Sequence, residues 1–199
     1  MKLLGGDRSP YVRKVRIVLE EKSVPYEYVQ TRPSVAGSPV PDHNPLAKIP
    51  VLLNDEGKAI YDSPVIVDYL DARFEQPRLI PIDIEARVDV KRWEALGDGI
   101  VDSTVLVSHD YDHVQSVEWH AKQRLKIERG LKVMANDLGE RAFCFGSAFS
   151  LADIAAGYAL AYLDVSLPDI DWRTPYPNLA RLAQRVAARP SFQKTASQS

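Results

Sequence analysis

Residues 2–19 read KLLGGDRSPYVRKVRIVL, and this stretch decides the fold of the first half of the chain. Lys2–Gly6 is short and apolar and ends at glycine, whereas the apolar residues that follow recur at the spacing of one helix face. Ser9 and Pro10 stand where that helix must begin, because a serine oxygen accepts from the free N–H groups of a first turn and proline there loses no hydrogen bond. The stretch therefore predicts a strand, a turn and a helix capped by Ser9.

The remainder of the first half alternates between strand patterns and loop signals. Tyr26–Thr31 alternates in the manner of a second strand. Residues 33–50 hold five of the fourteen prolines and predict a loop with at most a short helix. Val51–Leu53 and Lys58–Tyr61 flank a glycine-bearing turn and predict a hairpin. Ser63-Pro64 then repeats the serine-proline helix start, so the predicted order is βαβ, loop, ββα.

The second half is predicted to be entirely helical. Proline interrupts the pattern in residues 77–85, which we take as a linker between a domain at 1–76 and a domain at 86–199. Ser150 and Asp153 have the spacing of a capping box at the start of a helix. The fold class is therefore α/β plus all-α, with helices expected near 86–108, 117–138, 151–163 and 176–188.

Composition excludes several classes of function. The 199 residues are 45% hydrophobic and 26% charged, with 25 Lys and Arg against 27 Asp and Glu, so there is no basic field to attract nucleic acid. No apolar run is long enough for a membrane span, and the start of the chain lacks the core of a signal peptide. The single cysteine, Cys144, cannot form an internal disulfide, and its aromatic neighbours favour a buried apolar side chain over a nucleophile. We expect a cytoplasmic protein that binds neither nucleic acid nor membrane.

Ser9 is the first candidate for chemistry. An anion above it would meet free N–H groups and the positive end of the helix dipole, and a thiolate would suit this position. Serine-proline helix starts are common, however, so the spacing taken alone favours a Ser9 that only caps the helix. The residues alone leave both interpretations open.

Five motifs in fixed order resemble those of bacterial glutathione S-transferases, and the resemblance covers nearly the whole chain. They are Ser9-Pro10-Tyr11-Val12, the run from Asn44 to Leu52, the run from Asp62 to Ile66, the capping box at Ser150, and the closing Arg189-Pro190-Ser191-Phe192. The resemblance implies a thioredoxin-like N-terminal domain and a helical-bundle C-terminal domain.

The resemblance also assigns the residues that would bind glutathione. Ser9 stands where serine-type members donate a hydrogen bond to the glutathione sulfur. Ile49 precedes Pro50 in what looks like the family's cis-proline element, whose backbone pairs with the cysteinyl unit. Asp62 and Ser63 match the pair that holds the γ-glutamyl group at a helix N-terminus.

The implied function is that of a transferase in detoxification, which activates the thiol of its co-substrate glutathione for attack on a small hydrophobic electrophile or a peroxide. A homodimer is also implied. The alternative is a non-catalytic glutathione-binding or protein-interaction module on the same fold. Two departures favour that alternative: Asp7 lies near the proposed thiolate and would raise the pKa of the thiol unless it points away, and Asp62 is shorter than the Glu or Gln of many relatives.

A group of histidines and aspartates offers a weaker hypothesis. His109 and Tyr111 fall near the end of the long helix whose counterparts line the pocket for the second substrate. The same region could in principle present two imidazoles to a metal, but no ligand spacing completes such a site, so we expect none. The residues concerned are His109, Asp110, Asp112, His113 and His120.

Overall fold

The computed structural model describes residues 1–109 and 115–196. The chain divides into two compact units, of which the first comprises Met1–Leu79 together with the C-terminal segment that begins at Arg189. The second unit comprises Ile80–Ala188. Within the described ranges, no helix is long and apolar enough to cross a membrane.

The first unit has the predicted βαβ, loop, ββα order and adds a short helix from the end of the chain. Its elements in the described ranges are β1 (Lys2–Gly5), α1 (Pro10–Glu21), β2 (Glu27–Gln30), α2 (Val40–His43), β3 (Val51–Leu53), β4 (Ala59–Ile60), α3 (Ser63–Arg73) and α8 (Pro190–Lys194). The short α2 lies within the proline-rich stretch for which a loop with one short helix was predicted.

The four strands form one sheet in the order β2-β1-β3-β4. β1 is parallel to β2, with Lys2 opposite Glu27, and antiparallel to β3, with Lys2 opposite Leu53. β3 and β4 form the predicted hairpin, with Leu53 opposite Ala59. One parallel pair joined through α1, followed by an antiparallel hairpin, confirms the thioredoxin-like fold class.

Helix α1 packs directly on the central strand of this sheet. A Cβ atom added to Gly5 would lie 2.6 Å from a methyl carbon of Val12, so any larger residue would force β1 and α1 apart. The apolar stripe predicted from the opening sequence faces this contact, and its members are Val12, Val15, Val18 and Leu19.

The second unit is helical throughout its described residues. Its helices are α4 (Ile84–Ser108), α5 (Val117–Leu138), α6 (Leu151–Ser166) and α7 (Pro177–Ala187), close to the predicted bounds. α4 approaches α6 so closely that a Cβ on Gly97 would lie 2.7 Å from the carbonyl oxygen of Ala155. The first ten residues of α6 are all buried, as expected of a helix that is apolar on every side.

The capping box at the start of α6 is present as predicted. The Ser150 hydroxyl accepts from the helix backbone, and an Asp153 carboxylate oxygen accepts from the Ser150 N–H at 2.9 Å. The other Asp153 oxygen accepts from the Cys144 N–H at 2.8 Å. Cys144 is buried, as predicted, and burial, followed by the charge of Asp153, raises the pKa of its thiol.

The C-terminal segment belongs to the first unit, which differs from the predicted assignment of all of 86–199 to the helical domain. Arg189 donates two hydrogen bonds to the Glu21 carboxylate, at 2.8 and 2.7 Å, and the Ser191 hydroxyl donates a third at 2.5 Å. Arg13 donates to the Phe192 carbonyl oxygen at 3.3 Å. These contacts fasten α8 to α1, and they pair residues too far apart in sequence to be recognised from a local pattern.

Candidate functional site

The topology of the sheet brings the predicted glutathione-binding segments to one end of the first unit. β3 is antiparallel to β1, so its first residue lies beside the last residues of β1. β4 is antiparallel to β3, so the chain leaves β4 toward that same end. The segments gathered there are Ser9 after β1, Ile49–Pro50 before β3, and Asp62–Ser63 after β4.

Ser9 is the N-cap of α1, as the opening sequence predicts. Its backbone is extended, with φ −76° and ψ 119°, and its hydroxyl oxygen accepts from the Val12 N–H at 3.3 Å. Its own N–H donates to the Gly6 carbonyl oxygen at 2.9 Å, which closes the turn between β1 and α1. A serine hydroxyl carries one hydrogen besides its acceptor sites. No group in the described ranges takes that hydrogen, so capping leaves the hydroxyl able to donate to a sulfur.

Ile49 is held in place immediately before β3. The Ile49–Pro50 peptide bond is cis, as the resemblance implied. The Ile49 side chain packs against the core of the sheet and reaches within 3.6 Å of the position that a Cβ on Gly6 would occupy. Buried Asn44 fixes the preceding loop, because its side-chain amide donates to the Lys48 carbonyl oxygen at 2.9 Å. The backbone at Ile49 is therefore an ordered edge beside the turn that carries Ser9.

Asp62 and Ser63 stand at the start of α3. Asp62 is the N-cap residue, but its carboxylate makes no capping hydrogen bond and is exposed. Ser63 is the first helical residue and is only 2% exposed. The Tyr61–Asp62 peptide bond is cis. A helix N-terminus whose cap does not use its own carboxylate leaves first-turn N–H groups for an external carboxylate and leaves Asp62 for an external ammonium group.

Asp7, whose charge argued for the binding-module alternative, is neutralised within the protein. Its carboxylate accepts from Arg16 at 2.9 Å, from the Tyr28 hydroxyl at 3.0 Å and from the Gln30 side chain at 3.0 Å. All three donors belong to α1 or β2. The carboxylate is therefore paired with a cation and held toward β2, so the departure carries less weight than the sequence suggested.

Lys48 is a candidate that the sequence reasoning missed. It lies directly before Ile49, is exposed, and pairs with no described carboxylate. Its position next to the proline element was the available signal, but the significance of a cation there emerges only when the loop is seen beside the ends of the strands.

The second-substrate and metal hypotheses gain little from the structure. His109 is the C-cap of α4, is exposed, and places Nδ1 3.1 Å from both the Ser108 hydroxyl and the Val105 carbonyl oxygen. Tyr111 lies outside the described residues, as do Asp110, Asp112 and His113. His120 packs edge-on against Trp119. Residues 1–109 and 115–196 contain no cluster of side chains that could hold a metal ion.

Fold and site together define a class: a thioredoxin-like domain with a serine N-cap at its first helix, followed in sequence by a helical domain. The sequence model of the glutathione S-transferase N-terminal domain matches residues 3–78, and that of the C-terminal domain matches residues 117–185. The chain belongs to the glutathione S-transferase family.

Individual relatives agree with this assignment. An uncharacterised GST-like protein of Escherichia coli, YibF, is 34% identical over 98% of both chains. A glutathione S-transferase of Methylobacterium radiotolerans, solved with glutathione sulfonate, is 43% identical with a TM-score of 0.94 and covers 100% of this chain and 95% of its own. One from Methylobacillus flagellatus, solved with glutathione bound, is 44% identical with a TM-score of 0.94 over 99% of both chains.

These findings confirm the predicted family and its glutathione transferase type of function. They do not test the serine mechanism or the individual site residues, which stay predictions.

Proposed function

We propose that this protein is a glutathione transferase of the serine type, which binds glutathione at the end of the sheet that carries Ser9. The observation that carries this proposal is the Ser9 hydroxyl, which accepts the capping bond from Val12 while no described group takes its hydrogen, so that it can donate to a thiolate. The backbone at Ile49 and the start of α3 lie at the same end and offer partners for the rest of the tripeptide.

Asp62 and Ser63 are proposed to hold the γ-glutamyl group. The exposed carboxylate of Asp62 would pair with the α-ammonium group, while the Ser63 side chain and the first N–H groups of α3 would receive the α-carboxylate. Both charges of the γ-glutamyl group would then be matched. Such binding places the substrate without acting on its sulfur.

Lys48 is proposed to hold the glycyl carboxylate. If the cysteinyl backbone pairs antiparallel to residues 49–50, the γ-glutamyl end of glutathione lies past Pro50, toward α3. Its glycyl end then lies toward residue 48, where the ammonium group is exposed and pairs with no carboxylate of the described ranges. The antiparallel direction accounts for the placement of a carboxylate at α3 and of a cation at residue 48.

Activation of the sulfur would come from stabilising the thiolate. A free thiol has a pKa of about 8.5, and lowering it by about two units requires roughly 2.7 kcal/mol in favour of the charged form. One charge-assisted hydrogen bond from Ser9 supplies about 1.5 to 3 kcal/mol, and the N-terminus of α1 adds about 0.3 to 1 kcal/mol. Two ordinary contributions are thus enough to produce a thiolate near neutral pH, which then attacks a small hydrophobic electrophile.

Retention on immobilised glutathione followed by a conjugation assay on an aryl halide tests the proposal. We expect retention, elution by free glutathione, and turnover that rises with pH through the pKa of the bound thiol. Retention without turnover on a panel of aryl halides, enones and hydroperoxides would instead support a binding module. Failure to retain the protein would contradict both versions of the site.

We infer a cytoplasmic location from the co-substrate. The chemistry requires glutathione as the free thiol, and reducing compartments maintain that form. Fractionation of the native host, with the protein followed by antibody, would test this.

We also propose a homodimer, formed by a second copy on the α4 and α5 faces. A shallow apolar groove there includes Ala95, Gly99 and Val133, and a methyl group added to Gly99 would meet nothing within 4 Å. Sedimentation should give twice the chain mass of 22.3 kDa. Gly99→Arg should yield monomers, whereas Ser147→Arg, in an exposed loop, should not. A wild-type monomer at micromolar concentration would contradict the proposal.

A further inference from the structure

Asp7 is tied to two different elements of the first unit. One carboxylate oxygen accepts from Arg16 of α1 at 2.9 Å and from the Tyr28 hydroxyl of β2 at 3.0 Å, and the other accepts from the Gln30 side chain at 3.0 Å. The carboxylate is about one-third exposed and the Arg16 side chain is 17% exposed. Three donors on one partly buried carboxylate form an anchor beyond an ordinary surface ion pair.

The anchored residue belongs to the turn that presents Ser9. Gly6 ends the run from β1, and its carbonyl oxygen accepts from the Ser9 N–H at 2.9 Å. Asp7 lies inside that hydrogen-bonded turn, so fixing its side chain on β2 and α1 restrains the backbone on which the Ser9 hydroxyl depends. A displacement of Ser9 by about 1 Å is enough to matter for a reacting group.

The same contacts balance the charge of the anchor. Arg16 pairs with Asp7 and also lies over the Tyr28 ring, with its guanidinium carbon 4.6 Å from the ring centre. Burial, followed by the hydrogen bond to Asp7, raises the pKa of Tyr28, so its hydroxyl stays protonated and donates. Among the residues that the structure describes, the Arg16 Nε is buried without a hydrogen-bond partner, and Nη1 is the guanidinium nitrogen that donates to Asp7.

We propose that Asp7 and Arg16 are positioning residues for the thiol chemistry: Asp7 anchors the turn that presents Ser9, and Arg16 offsets the negative charge of that anchor near the bound thiolate. This inference rests on the function proposed above. It explains how a carboxylate is tolerated two residues from the group that is to stabilise an anion.

Opposing shifts in the pKa of bound glutathione provide the test. Arg16→Gln leaves Asp7 uncompensated and should raise that pKa by about half to one unit, less than the 1 to 3 units of a charge in direct contact. Asp7→Asn keeps one acceptor oxygen for the donors that anchor the turn but removes the negative charge, so Arg16 is left uncompensated and the pKa should fall. The double variant should return to within about 0.3 units of wild type, because both charges are gone. The pKa of bound glutathione is measured from thiolate absorbance against pH for wild type, both single variants and the double variant. Thermal melts establish that each of these four proteins is folded.

Matched controls remove the same charges at the far end of the sheet. Glu56→Gln and Lys58→Gln lie in the exposed turn between β3 and β4 and should leave the titration unchanged. The other charged or titratable groups near the site end are common to all variants, so they do not affect the comparison. They are Arg8, Arg13, Lys48 and Asp62, to which Tyr26 is added because it faces Tyr28 from just before the start of β2.

The possible outcomes distinguish a failure of this inference from a failure of the proposed thiol activation by Ser9. If glutathione bound to wild type titrates like free glutathione, the proposed activation by Ser9 fails. If wild type lowers the thiol pKa but Arg16→Gln and Asp7→Asn shift it in the same direction or not at all, only the role of this pair is overturned. Should Asp7→Asn not fold, Arg16→Gln alone serves as the test. A rise in the pKa of bound glutathione larger than that of the Lys58→Gln control supports the proposal, and the absence of such a rise overturns it.

Discussion

Replacing Ser9 by Ala separates a cap from a group that activates the thiol. The capping bond from Val12 is 3.3 Å long and only partly buried, so its loss should cost about 1 kcal/mol, within the range of about 0.5 to 2 kcal/mol for such caps. In a chain of this size that lowers the melting temperature by roughly 2 to 4 °C. A lost donor to the thiolate has a separate effect, because about 1.5 to 3 kcal/mol at 1.36 kcal/mol per unit raises the pKa of bound glutathione by roughly one to two units.

Thiolate absorbance of the enzyme-glutathione complex against pH measures the second effect, and conjugation at neutral pH should fall by about tenfold or more. Ser116 provides the control, since it caps α5 by accepting from the Trp119 N–H at 3.1 Å. Ser116→Ala should lose similar stability and leave the titration unchanged. Ser9→Cys adds a second test, because a gain of mixed-disulfide chemistry with glutathione would place residue 9 at the sulfur.

Identical titrations of wild type and a folded Ser9→Ala protein would refute this reasoning. Ser9 would then be a cap alone, and the backbone N–H groups of α1 would be left as the source of any thiolate stabilisation.

Three further predictions concern binding and stability. Asp62→Ala should raise the Michaelis constant for glutathione more than it lowers kcat, because it contacts a remote part of the substrate, and an unchanged constant would remove Asp62 from the site. Lys48→Ala should weaken glutathione more than γ-glutamylcysteine, which lacks the glycyl carboxylate, in calorimetric titrations where Lys58→Ala serves as the control; equal losses for both ligands would contradict the assignment. Burial alone would raise the pKa of Glu21, but hydrogen bonds from Arg189 and Ser191 outweigh it and hold that pKa below 4.5. The stability from this group is therefore present above the unfolded pKa and is lost as pH falls through the folded value. Glu21→Gln should cost about 1 to 3 kcal/mol in denaturant at pH 7 and progressively less in acid, and a cost that does not depend on pH would oppose it.

Local signals in the sequence were sufficient for much of the fold. The Ser9-Pro10 helix start, the hairpin around Gly57 and the capping box at Ser150 each place their determinants within a few residues, where backbone hydrogen bonding makes them recognisable. The helices of the second unit could be drawn for the same reason.

Contacts between distant segments could not be predicted in this way. The donors to Asp7 come from α1 and β2, and no local sequence pattern around Asp7 indicates that Tyr28 and Gln30 will contact it. Likewise, Lys48 becomes a candidate only once the antiparallel strands place its loop beside the turn that carries Ser9. The sequence therefore suggested the site's principal residues, while their surroundings depend on tertiary structure.

The return of the C-terminal segment to the first unit affects the order in which the protein can be completed. The ribosome synthesises Glu21 long before Arg189. The Glu21 carboxylate therefore cannot form this ion pair until almost the entire chain has been synthesised. The N-terminal domain is consequently discontinuous, and a fragment that stops at Leu79 would lack α8 and leave a nearly buried anion without its cation. A minimal glutathione-binding domain made from this chain would need residues 189–196 joined back to it through a short linker.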